Sequence, residues 1–568
     1  MAGMRAEAVG YRYRTAATDA LAGIDVVFPD GGLTVVMGPA GAGKSTLLMT
    51  LNGAVPQLHE GRFRGRVRLG DTDLAGYRVQ TIAEFVGLVP QDAEGQLLGR
   101  TVAEDAAFGP RNYLVPAEEI RRRVTEALTE VGLAGFEPRE TARLSGGEKQ
   151  RLAIAGALAL HPQVLCLDES TAELDPAGRE RLYRVVDELR RQGVTIVMVE
   201  HDSAGVAARA DHLVVLVDGA LAWQGSPSGF FRDPAPAGLV RPLPVAVVGY
   251  ALERAGLIAR VQIPLTVDEA EQLIRGLAGD RPLPPPSAPE PVVVVGDPVI
   301  ELRQLSHTYP GGQPALSGVD LTIGRGEYLA LLGRNGAGKT TLARHLNGLL
   351  RPTTGQVRVD GSDAASQAPW QLARKVGYVF QNPDHQIFKP TVAAEIRYGL
   401  AGLPEPERER RIDEVLQRVG LTEFRDAHPF ALSRGLRQRL AVAAVLALRP
   451  EILVVDEPTT GQDWAGVRTM MSLLGELNAE GTSIVLVTHD LELAARHARR
   501  AVLLDAGRIV ADGAAAGVLG RPAVLARAGL PPSQVVDLSA RLWPGSPSLL
   551  DADELCRHLV AALAGAGR

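Results

Sequence analysis

A glycine-rich octapeptide, Gly38-Pro39-Ala40-Gly41-Ala42-Gly43-Lys44-Ser45, is followed in the second half of the chain by another, Gly333-Arg334-Asn335-Gly336-Ala337-Gly338-Lys339-Thr340. Few features constrain a fold more. Short apolar runs precede each, Ile24–Phe28 and Leu33–Met37 in the first case, Val319–Ile323 and Tyr328–Leu332 in the second, and helical patterns follow at Leu47–Leu51 and Leu342–Leu346. Strand, glycine loop and helix in that order form a phosphate loop. Its backbone N–H groups surround phosphate oxygens, its lysine reaches the terminal phosphates and the next hydroxyl faces Mg²⁺. Gly38, Gly41, Gly43, Lys44, Ser45 and Thr46 are therefore candidate nucleotide contacts, matched by Gly333, Gly336, Gly338, Lys339, Thr340 and Thr341.

The second loop belongs to a copy of the whole first half. Leu167-Asp168-Glu169 recurs as Val455-Asp456-Glu457 and His201-Asp202 as His489-Asp490, both at an offset of 288 residues (456 − 168). Ser145 and Ser433 keep the same offset, whereas the lysines are 295 apart (339 − 44). A nearly constant offset over several landmarks means a duplicated domain. The drift places length differences between each phosphate loop and the serine.

Asp168 and Asp456 end apolar runs of the kind that form buried parallel strands, Val164–Leu167 and Ile452–Val455. A carboxylate there can hold Mg²⁺, and Glu169 or Glu457 beside it can polarise an attacking water. His201 and His489 follow the strands Thr195–Val199 and Ser483–Val487 and are expected at the γ-phosphate. Gln91 and Gln381 follow the runs Phe85–Val89 and Val376–Phe380, and are expected to contact the metal or the attacking water. Tyr13 and Tyr309 precede their lysines by 31 and 30 residues, where a ring could stack on a base. Leu144-Ser145-Gly146-Gly147-Glu148 opens a helix with capping-box spacing and an exposed N-terminus suited to an anion. Its copy reads Leu432-Ser433-Arg434-Gly435-Leu436, with an extra cation and no capping acid.

Composition narrows the class. The chain has 568 residues, a length for roughly four domain-sized units. A net charge of −6 argues against a dedicated nucleic-acid binder. Two cysteines, Cys166 and Cys556, make neither a disulfide framework nor a metal motif. No apolar run approaches the ~20 residues of a membrane span, and Met1–Arg14 lacks the apolar stretch of a secretory signal. The arginine-rich stretches Ala117–Val131 and Glu405–Val419 read as helices of an inserted subdomain.

Phosphate loop, glutamine, Leu-Ser-Gly-Gly, Asp-Glu and histidine in this order resemble the nucleotide-binding domain of ABC ATPases, twice over. Gln381-Asn382-Pro383-Asp384-His385-Gln386-Ile387-Phe388, followed by Thr391-Val392-Ala393-Ala394-Glu395-Ile396, narrows the resemblance to energy-coupling-factor ATPases in fused tandem form. The first copy, Gln91-Asp92-Ala93-Glu94-Gly95-Gln96, lacks the Asn-Pro. The resemblance implies an α/β fold with two tandem phosphate-loop domains, each with an inserted helical subdomain and a C-terminal helical tail. The expected boundaries are 1–225 and 299–515 for the ATPase domains, 226–280 and 516–568 for the tails, and 281–298 for a proline-rich linker.

It further implies two ATP and Mg²⁺ sites formed head to tail. Lys44, Asp168, Glu169 and His201 would face Ser433, Arg434 and Gly435, while Lys339, Asp456, Glu457 and His489 would face Ser145, Gly146 and Gly147. The metal would be held by Ser45, Gln91 and Asp168 in one site and by Thr340, Gln381 and Asp456 in the other. The implied partners are a transmembrane coupling subunit and a substrate-binding membrane subunit, at the cytoplasmic face of the membrane, with no nucleic acid. Arg434 leads us to expect unequal hydrolysis at the two sites. A ribosome-acting tandem ATPase would be expected to carry a basic helical linker, unlike this proline-rich, lysine-free one, and a tandem sugar-import ATPase fits the Gln386-Ile387-Phe388 segment less well.

Overall fold

A computed structural model describes residues 3–172, 174–286 and 297–564. The chain divides into two compact units, Met1–Ala246 and Val247–Arg568. Of the expected linker 281–298, residues 287–296 lie outside the described residues.

The described residues of the first unit form ten strands: β1 (Met4–Tyr13), β2 (Leu21–Phe28), β3 (Leu33–Met37), β4 (Gly61–Leu69), β5 (Thr72–Asp73), β6 (Val86–Val89), β7 (Val164–Asp168), β8 (Thr195–Val199), β9 (His212–Val217) and β10 (Ala220–Gly225). Six form a sheet in the order β10-β9-β3-β8-β7-β6. Every pair in it is parallel except β10 with β9. The central strands β3, β7 and β8 are buried along their whole length, which is why they read as unbroken apolar runs. The other four strands form an antiparallel sheet, β2-β1-β4-β5. Sequence reading did not anticipate this layer. Its strand β4, Arg62-Phe63-Arg64-Gly65-Arg66-Val67-Arg68-Leu69, puts arginines at alternate positions and reads as a charged segment rather than as half of a core. Its inner side still closes a core of Met4, Tyr11, Phe28, Leu47, Leu48, Cys166 and Val199.

The second unit repeats this plan with β11 (Pro298–Thr308), β12 (Pro314–Gly324), β13 (Tyr328–Leu332), β14 (Thr354–Val359), β15 (Ser362–Asp363), β16 (Val376–Val379), β17 (Ile452–Asp456), β18 (Ser483–Thr488), β19 (Arg500–Asp505) and β20 (Arg508–Ala514). Its sheets run β16-β17-β18-β13-β19-β20 and β12-β11-β14-β15. One core fills the space between the two sheets around the helix Lys339–Leu346. Another, on the opposite side of the parallel sheet, gathers the helices Glu405–Val419, Arg434–Leu446 and Trp464–Ala479. The helical insertions are where the arginine-rich patterns place them, at Ala117–Glu130 and Glu405–Val419.

Both tail regions contain the expected capped helices. Thr266 caps Val267–Ala278 by accepting the Glu269 amide, and Asp551 accepts the Asp553 and Glu554 amides before Ala552–Ala564. The second tail begins inside its own domain core, through Val518, Leu519, Leu525 and Leu530. Segment 247–286, which takes in the start of the expected linker, belongs to the second unit and packs on that tail. Arg541 donates to Asp268 at 2.5 Å, and Arg275 donates to the Arg541 carbonyl at 2.7 Å. Trp543, 4% exposed, donates its indole N–H to the Leu283 carbonyl at 3.3 Å and meets the His558 ring edge-on at 5.0 Å.

Candidate active site

In a parallel sheet, ligands bind beyond the carboxyl ends of the strands. β3, β7 and β8 lie side by side and deliver the phosphate loop, Asp168 and His201 to one edge. β13, β17 and β18 do the same for the second loop, Asp456 and His489.

The loops are shaped as their glycines require. Gly38 has φ 139°, and a Cβ there would lie 2.1 Å from the Leu216 carbonyl oxygen; at Gly333, φ 154°, the distance to the Leu504 oxygen would be 2.3 Å. Gly41 and Gly336 turn through φ 77° and 81°. Gly43 and Gly338 cap the helices Lys44–Asn52 and Lys339–Leu346 in left-handed conformation without any side-chain cap, leaving the first amides to a ligand. Both helices begin at the lysine itself, earlier than their apolar pattern suggests. Lys44 Nζ donates to the Gly38 and Pro39 carbonyls at 2.9 Å each, and Lys339 Nζ to those of Gly333 and Arg334 at 2.8 and 3.2 Å. Each ammonium is thus held in the curve of its loop.

The acidic pair follows each loop closely. Asp168 and Asp456 are the last residues of their strands, one position beyond the apolar runs. Burial pushes the Asp168 carboxyl up to about 6, against a lowering hydrogen bond from Ser45. Burial also raises Asp456, opposed by bonds from Thr340 and Tyr378. In both residues Oδ1 is buried without a hydrogen-bond partner. A buried, orphaned carboxylate oxygen beside a loop hydroxyl fits a hard divalent cation such as Mg²⁺, with Ser45 and Asp168 as donors in one copy and Thr340 and Asp456 in the other.

Glu169 and Glu457 turn the chain out of the strand at φ 47° in both copies. Non-glycine residues held there are strained, and such strain concentrates at functional sites. His201 Nε2 lies 3.0 Å from Glu169 Oε1, and His489 Nδ1 lies 3.0 Å from Glu457 Oε1. The two copies thus present opposite edges of the imidazole. Gln91 Nε2 donates to Glu169 Oε2 at 2.6 Å. Gln381 is exposed, and among the described residues it makes no such bond; Glu457 instead has Lys339 Nζ at 3.9 Å.

Tyr13 and Tyr309 stand beside their loops, with hydroxyls 3.1 and 3.0 Å from the Thr46 and Thr341 hydroxyls. Those two threonines are therefore tied to the aromatic residues. Ser145 caps Gly146–Leu158 with the full capping box, while Ser433 caps Arg434–Leu446 without one. Ser145, Gly146 and Ser433 are exposed, and Gly147 and Gly435 are half-buried. The Arg434 side chain lies against Gly461 of its own copy.

Two further features escape sequence reading. Tyr378 donates its hydroxyl to Asp456 at 2.9 Å. Lys149 bonds Glu94 at 2.5 Å and Arg437 bonds Asp384 at 2.6 Å, tying the serine-capped helix to the glutamine segment in each copy. Matched opposite charges in both repeats were the available signal for these ion pairs.

Comparison with known proteins agrees with this geometry. A family model described as ABC transporter matches residues 21–172 and 316–460. An ABC transporter ATP-binding protein of Methanosarcina acetivorans is 39% identical over 98% of this chain and 94% of its own length. One from Streptomyces coelicolor is 37% identical over 95% of this chain and 98% of its own. A solved structure of cbiO1 from Clostridium perfringens, part of the ABC transporter complex cbiONQ, is 33% identical, covers 43% of this chain and 98% of that one, and has a TM-score of 0.38. The chain belongs to the ABC transporter ATP-binding family, carries two ATPase domains in tandem and hydrolyses ATP.

Proposed function

We propose that this protein energises uptake of a vitamin, a vitamin precursor or a metal ion through a separate membrane complex of the energy-coupling-factor type, to which it binds peripherally. The observation that carries the reading is the surface beside each glutamine segment. Leu98 and Phe108 in the first copy are 65% and 46% exposed, and Phe388 and Tyr398 in the second are 59% and 61% exposed. The positions correspond through the offset of the glutamines (381 − 91). Repeated apolar exposure of this kind is the mark of a docking site, and the Gln386-Ile387-Phe388 wording supports an energy-coupling-factor partner. No helix among the described residues is long and apolar enough to cross a membrane, so the passage itself falls to other subunits.

In the mechanism we propose, each phosphate loop binds ATP and the two units close on it head to tail. Lys44 and Lys339 exchange carbonyl partners for phosphate oxygens. Mg²⁺, when bound at Asp168 and Asp456, supplies neutralisation of phosphate charge. Glu169 and Glu457 accept the proton of the attacking water. His201 and His489 orient those carboxylates and contact the γ-phosphate. Gln91, bonded to Glu169, transmits the state of the site to the surface at Leu98 and Phe108. The serine-capped helices close each site from the opposite unit.

Affinity capture from detergent-solubilised membranes tests this reading. Two integral-membrane subunits are expected to co-purify, and replacing Phe388 and Tyr398 with serine is expected to release them. Recovery with ribosomes, and without any membrane protein, would sink the transport reading.

A further inference from the structure

The residue before the site histidine differs in kind between the copies. β18 ends at Thr488, whose hydroxyl accepts the Asp490 amide at 3.0 Å, a turn closed within its own loop. The matching residue after β8 is Glu200, only 3% exposed. Its Oε1 accepts the Thr171 hydroxyl at 2.6 Å, and its Oε2 accepts the His201 amide at 3.2 Å. Thr171 lies two residues after Glu169. The Glu200 carboxylate therefore joins from behind the same two loops whose front residues, Glu169 and His201, meet at 3.0 Å. Burying an acid is costly unless its oxygens are satisfied, and here both are.

We propose that Glu200 is a positioning residue of the first ATP site, locking the loop after Glu169 to the loop carrying His201 so that the carboxylate–imidazole pair keeps its geometry for hydrolysis. This rests on the assignment of Glu169 and His201 to hydrolysis made above. The groups facing Glu200 are His201 and Asp202 on its own loop, and Arg179 and Tyr183 from the helix Pro176–Arg191. Burial pushes the carboxyl up to about 7, with the Thr171 bond opposing. Once protonated, the group no longer accepts from both donors. First-site turnover therefore falls on acidification through that range, and the second site, with Thr488, has no counterpart.

The test uses the full chain carrying Glu457→Gln, so that turnover reports the first site. Glu200→Ala is expected to lower kcat roughly tenfold with little change in KM for ATP. Glu200→Gln, which like the protonated acid keeps one acceptor, is expected to hold turnover at the lowered acid-side rate at every pH and so to lose the acid-side fall. Thermal melting and Glu200→Thr, which installs the second copy's residue, separate folding from positioning: a folded threonine variant with reduced kcat supports the proposal. Unchanged turnover in both the alanine and threonine variants, or an unchanged acid limb in the glutamine variant, would overturn it. If Glu169→Gln leaves first-site turnover intact, the underlying assignment fails, and the proposal with it.

Discussion

Asp168 shows how a site residue can work against the stability of its own domain. Its carboxyl is raised by burial to about 6, so the folded chain holds the proton more tightly than the unfolded chain. The stabilisation this brings is complete below the ordinary carboxylate range and is lost as pH rises through about 6. At neutral pH the unliganded chain then bears a cost of up to about 3 kcal/mol. Asp168→Asn is expected to raise the unfolding free energy by up to that amount at neutral pH, less in mild acid, while ending hydrolysis at the first site. Urea titrations at two pH values measure it, and a destabilised variant at neutral pH would count against the buried-charge account. Asp456 differs in having the Tyr378 hydroxyl as donor, where the first copy has the apolar Leu88. Tyr378→Phe leaves a buried carboxylate oxygen short of a partner, at a cost of about 1–3 kcal/mol. Urea unfolding and the Mg²⁺ dependence of second-site turnover should both register the loss. Asp168 and Asp456 were legible as residues because they end apolar runs. The Tyr378 bond was not, since it requires β16 to lie beside β17 with Tyr378 opposite Val454.

Among the elements, the serine-capped helices were readable down to the capping box, because capping is local chemistry between residues three apart. The antiparallel sheets were not. Their strands pair Met4 with Leu69 and Ile300 with Val359 across long separations, and arginines on the outer side of β4 mask the alternation. The contact between the two tail regions is also a matter of packing. Its ion pairs are largely exposed; Arg541 and Asp268 side chains keep 39% and 76% of their surface, and such pairs contribute about 0–1 kcal/mol. Trp543 is buried with its indole bonded to the Leu283 carbonyl, and its loss costs about 3–5 kcal/mol. Trp543→Ala is therefore expected to raise hydrogen exchange across Val267–Ala278 sharply, whereas Arg541→Ala leaves it nearly unchanged. Equal effects from the two would show that charge, not packing, holds the tails.

At the scale of the whole molecule, duplication puts two similar but unequal sites on one chain. Gln91 donates to Glu169, whereas among the described residues Gln381 makes no such bond to Glu457, and the imidazoles present opposite edges. Arg434 and Glu200 add differences of charge. We expect Glu169→Gln and Glu457→Gln each to slow its own site within the ~10²–10⁴ range for loss of a general base, and so to remove unequal shares of the total turnover. With both substitutions, MgATP is expected to draw the units together, read as a fall in radius of gyration by X-ray scattering. Equal losses would remove the asymmetry, and an unchanged radius would argue against intramolecular pairing. The sequence by itself determined the duplication, the phosphate loops, the acidic pairs and the capped helices, because each is written in a short window where composition and spacing carry the physics. Only the tertiary structure decided that Glu200 grips Thr171, that Tyr378 bonds Asp456 and that segment 247–286 lies on the far tail. Those contacts join residues distant along the chain, and they depend on strand order and side-chain packing.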